Sequence, residues 1–72
     1  MSTETQAQRC EAIVAEAEKL AEHARIAAIH FRNGEVPRGA AHVLAAQGHL
    51  LALRTTLDAV VGEHAARSQP VI

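Results

Sequence analysis

Asn33-Gly34-Glu35-Val36-Pro37 decides the fold, because this stretch carries helix-stop chemistry between two long segments free of it. Glycine takes the left-handed backbone that ends a helix, and proline cannot continue a helix but can open the next. Residues 3–32 contain neither glycine nor proline, and after Pro37 no proline occurs until Pro70. The spacing predicts a helix over about 3–32, a turn at 33–37, a second helix over about 38–67 and a short tail, 68–72. The class is all-α, one domain.

Outward from the turn, both segments repeat apolar residues at alternating steps of three and four, the heptad spacing of packed helices. On the first helix these are Cys10, Ile13, Ala17, Leu20, Ala24, Ala27 and Phe31; on the second, Val43, Ala46, Leu50, Leu53, Leu57 and Val60. Beside each run lies a polar flank: Arg9, Glu16, His23, His30 and His42, His49, Thr56, Glu63. Thr3 and Gln6 fit a capping box at the start of the first helix.

Folding the runs antiparallel about Glu35 pairs core residues whose numbers add to 70, including Phe31 with Gly39 and Leu20 with Leu50. Several layers then pair a large residue with a small one, as interdigitated packing prefers. The flanks meet at sums of 72: Arg9 with Glu63, Glu16 with Thr56, His23 with His49 and His30 with His42. A charge pair and two histidine pairs thus emerge from a register chosen on apolar residues alone. The expected fold is an antiparallel helical hairpin.

The chain has 72 residues, sixteen of them alanine and only Phe31 aromatic. A core this small secures only ~3–5 kcal/mol, and alanine buries little area. The one cysteine, Cys10, allows no internal disulfide and fits a core position in a reducing compartment. Association is the expected remedy, with two hairpins forming a homodimeric four-helix bundle. A second stripe on the second helix (Ala41, Ala45, Gly48, Ala52, Thr55, Ala59, Gly62, Ala66) suggests close approach of another helix there. Which outer stripe mediates the dimer is left open by the pattern.

The net charge of −1 argues against a nucleic-acid-binding protein. No apolar run approaches the ~18 residues of a membrane span, and Met1-Ser2-Thr3-Glu4-Thr5 is unlike a targeting peptide. A cytoplasmic location is the expectation.

Five histidines are the main chemical signal. Paired imidazoles at a helix interface can bind zinc, copper or nickel, so His23, His30, His42 and His49 are candidate metal ligands. A tetrahedral site needs about four ligands, and no carboxylate lies three or four residues from any of these histidines. The same pairs would bring like charges face to face on protonation, a pH response. Catalysis is not expected: no nucleophile stands beside a base, and no glycine-rich phosphate loop is present. Arg25, Arg32 and Arg38 make the turn end mildly basic, but aromatic stacking partners for nucleic acid are missing.

The turn end also carries Ile26 and Ile29 away from the apolar run, and the second helix adds Leu44 and Leu51. Apolar residues rimmed by Arg25 and Arg32 resemble a protein-binding patch. The favoured expectation is a non-enzymatic protein-interaction or regulatory module. A histidine-based metal-binding protein is the alternative, and a small nucleic-acid-binding regulator a further one.

Overall fold

The computed structural model describes residues 2–67, which form two helices, α1 (Thr3–Arg32) and α2 (Val36–Arg67). The sequence tail 68–72 lies outside the described residues. Among those described, no helix is long and apolar enough to cross a membrane.

The start of α1 differs by one residue from expectation. Ser2, not Thr3, is the N-cap: its backbone is extended and its Oγ accepts the Thr5 N–H at 3.2 Å. With Ser2 as the N-cap the third helical position is Thr5, so Gln6 is out of register for the expected capping box. Its Nε2 donates to Glu63 at 3.1 Å, and its Oε1 accepts from Arg9 at 3.1 Å.

The turn closes by paired backbone bonds. Gly34 takes φ +73°, and its N–H reaches the Phe31 carbonyl at 3.0 Å. The Glu35 N–H reaches back to the His30 carbonyl at 2.8 Å, completing a Schellman motif. Helix α2 begins at Val36, two residues before the expected start. The Glu35 carbonyl accepts the Gly39 N–H at 3.0 Å, so Pro37 falls in the first turn, where its missing N–H costs nothing.

The hairpin is a plate of about one helix thickness, with Cα extents of 59 × 24 × 12 Å. Antiparallel packing puts Phe31 on Gly39 so closely that a Cβ there would stand 2.8 Å from the ring. Glycine is needed at that position for contact, not for backbone freedom.

The seam between the helices is rotated from the expected one. Its half-buried residues on α1 include Arg9, Ile13, Glu16, Leu20, His23 and His30. Opposite them on α2 are His42, Ala46, His49, Leu53, Thr56, Val60 and Glu63. Among the described residues only Ala27 and Gly39 are fully buried. Cys10, Ala17, Ala24, Phe31, Val43, Leu50 and Leu57, expected in the seam, are exposed instead. The reason is geometric. A helix offers one neighbour a narrow stripe, and here that stripe joins half of the apolar run to the polar flank. The other half lines one broad side of the plate, the open face, where Leu20, Val43, Ala46, Gln47 and Leu50 edge a shallow groove.

Candidate functional site

The polar flank forms a continuous ladder along the side of the seam opposite the open face. From the turn, Glu35 Oε1 lies 3.4 Å from His30 Nδ1. The His30 ring stacks on His42, with centres 5.5 Å apart and planes 15° apart. His42 Nδ1 then meets His23 Nδ1 at 3.0 Å, a contact across the seam. The His23 ring stacks on His49 at 5.4 Å and 16°. His49 Nδ1 ends the ladder on Glu16 Oε2, at 2.6 Å. The order is carboxylate, four imidazoles, carboxylate.

This geometry assigns different chemistry to the inner and outer histidines. Each outer ring, His30 and His49, has a carboxylate that can accept its Nδ1–H and balance a positive charge. The inner rings, His23 and His42, face each other. A 3.0 Å nitrogen contact needs one N–H and one lone pair, so the two rings play unlike roles in it.

Both expected histidine stacks form, and Arg9 Nη1 pairs with Glu63 Oε1 at 2.8 Å. Glu16 departs from its expected partner. It meets His49, while the Thr56 hydroxyl donates to the Ala52 carbonyl within α2. The diagonal His23–His42 contact and the role of Glu35 were not legible as sequence spacings. Glu16 reaches its histidine from the opposite helix, and Glu35 reaches His30 across the turn; neither carboxylate lies three or four residues away on the same helix. Among the described residues no group of three or more His, Cys, Asp or Glu could hold a metal ion. His64, the fifth histidine, is exposed near the end of α2.

The candidate interaction residues are spread over the outside of the plate. Leu44 and Leu51 are 68% and 60% exposed, half a helical turn from the seam residues of α2. Ile29 is also well exposed, Ile26 is half-buried, and Arg25 and Arg32 are exposed. Leu44 with Leu51 and Ile29 with its arginines therefore occupy opposite edges. At the turn, Arg38 pairs with Glu35 at 2.9 Å, which offsets part of the basic character there.

The larger apolar surface is the open face. Val36, Val43, Leu50 and Leu57 recur at heptad intervals on α2, each 44–58% exposed, with Phe31 at 44% beside them on α1. Ala17 and Ala24 continue that side of α1. No protein-family model, curated protein or solved structure matches the chain.

Proposed function

We propose that the protein is a non-enzymatic, homo-oligomeric interaction module in which two hairpins pair through their open faces as an antiparallel four-helix bundle. The observation that carries this reading is the row of half-exposed large residues, Phe31, Val43, Leu50 and Leu57, along one side of a plate with two fully buried residues among those described. Burying a leucine contributes ~1.5–3 kcal/mol, so covering this row would add a substantial share of the stabilisation the single hairpin leaves unused. The plate's 59 × 24 Å outline accommodates the ~800 Å² that each partner of a standard interface buries.

The face is also self-complementary. A twofold axis parallel to the helices sets each α1 antiparallel over the partner's α2. The small side chains Ala17 and Ala24 then lie against the large row Val43, Leu50 and Leu57. A second copy is thus the occupant that suits this face. Assembly leaves Leu44, Leu51 and Ile29 on the outside with Arg25 and Arg32, chemistry suited to an apolar protein surface edged with carboxylates.

Sedimentation equilibrium at micromolar concentration tests the reading. Twice the chain mass is expected, with Leu50→Glu reducing it to one chain. A wild-type monomer overturns the bundle. A dimer that survives Leu50→Glu and dissociates with Leu44→Glu relocates the interface to the outer edge of α2.

A further inference from the structure

We infer that the His23–His42 contact is an acid-released latch on the helix seam, closed at neutral pH and opened as pH falls through the range in which histidine titrates. The two imidazoles come from different helices and bring Nδ1 to Nδ1 at 3.0 Å. At that distance one ring donates its N–H and the other accepts through its lone pair. A proton on the accepting nitrogen fills the lone pair and leaves two N–H groups facing each other. The bond is then lost, and with both rings charged the seam holds two like charges in direct opposition. Histidine ordinarily takes up this proton near pH ~6.5, so the change falls close to neutrality.

The surroundings of the pair do not offset that charge. Among the described residues the polar contacts of the inner rings are with imidazoles, His49 lying on His23 and His30 on His42. Both carboxylates of the ladder are taken by the outer rings, Glu16 by His49 and Glu35 by His30, and Glu35 is shared with Arg38. One turn before each inner residue on its own helix stands a cation, Lys19 on α1 and Arg38 on α2. Protonation is therefore opposed at the inner pair and favoured at the outer rings, each of which has a carboxylate beside it. The unfolded chain takes up protons at all four imidazoles, whereas the closed latch keeps its accepting nitrogen free of one. The latch thus contributes stability above the histidine range and loses it as pH falls, while the outer pairs act in the opposite sense.

The latch lies on the hairpin's own seam, so it stands with or without a second copy. The experiment follows the Tm of the full-length protein by circular dichroism from pH ~8 to pH ~5.5, above the range in which carboxylates titrate. On acidification the wild type should lose ~4–8 °C more than His23→Gln or His42→Gln, the shift that losing one hydrogen bond produces in a domain this small. His30→Gln and His49→Gln leave the inner contact in place and should keep or enlarge the wild-type loss, and His64→Ala should leave it unchanged. Helicity at the higher pH is measured on every variant, with His23→Asn and His42→Asn replacing any that unfold. An equal loss in the wild type and both inner variants, or a loss abolished by His30→Gln or His49→Gln, overturns the latch. Sedimentation of the same samples at both pH values shows separately whether the bundle holds.

Discussion

The open face and the histidine ladder run side by side along the same two helices, yet they use the heptad pattern in opposite ways. On the open face, Val43, Leu50 and Leu57 repeat every seven residues and remain about half exposed. On the ladder, His42 and His49 repeat at the same interval and are tucked against α1. The hairpin thus shares its helix–helix contact between polar side chains and Ile13, Leu20, Leu53 and Val60, and leaves Val43, Leu50 and Leu57 facing out. Polar groups in a seam specify register through partners and cost little when satisfied, and no buried side-chain N or O lacks a hydrogen-bond partner among the described residues. Apolar groups left outside favour a second layer. The division teaches that register and stability are separate tasks here, carried by different sides of the plate.

This contrast can be broken most severely on the open face. Leu50→Glu with Leu57→Glu removes two side chains worth ~1.5–3 kcal/mol of burial each, and twofold symmetry repeats the loss in the partner. The expected result is a monomer with a large loss of helical circular dichroism at 25 °C; unchanged mass and helicity would refute the second layer.

Gly39→Ala tests the tightest contact within the hairpin. The added Cβ would stand 2.8 Å from the Phe31 ring and force that ring outward. Overpacking costs ~1–3 kcal/mol, while alanine's higher helix propensity returns ~1 kcal/mol. Tm should fall, and Phe31→Leu in the same chain should restore it. A Tm raised by Gly39→Ala alone would show that Phe31 yields freely.

Gly48→Ala separates the open face from the small-residue stripe of α2. A Cβ at Gly48 or Gly62 meets nothing within 4 Å in the hairpin. With the stripe facing solvent, the substitution gains up to ~1 kcal/mol by helix propensity, read as a higher Tm. A lower Tm together with dissociation would place the second copy on the stripe instead.

The smallest effect belongs to the open end of the hairpin, beyond the ladder. Glu63→Gln removes the 2.8 Å pair with Arg9, whose side chains are 30% and 41% exposed. Such a pair contributes about 0.2–1 kcal/mol and is screened by salt. A small loss of stability that fades in high salt is expected; a larger, salt-independent loss would mean that the Gln6–Glu63 bond at 3.1 Å matters more than the charge.

Much of this was legible in the residues. The turn at Asn33 to Pro37, the antiparallel register, the contact of Phe31 with Gly39 and the Arg9–Glu63 pair all follow from spacing and residue size. The rotation of the seam was not legible, because an apolar stripe spanning both heptad core positions fits one neighbour or two equally well. The ladder was half legible. The His23–His49 and His30–His42 stacks follow from register, whereas the diagonal contact of His23 with His42 depends on ring orientation. The Ser2 cap shows a similar limit: two adjacent hydroxyl residues, Ser2 and Thr3, can both cap, and backbone geometry chooses between them.

The sequence by itself determined two long helices, the place where they reverse and the register in which they pair. Those properties rest on local chemistry: a left-handed glycine, a proline and the periodicity of apolar residues along a helix of fixed pitch. Only the tertiary structure decided which side of each helix touches the other, which histidines find carboxylates and which are left facing each other. Those outcomes depend on rotation about the helix axis and on side-chain rotamers, and a repeating pattern of residue types constrains both only loosely.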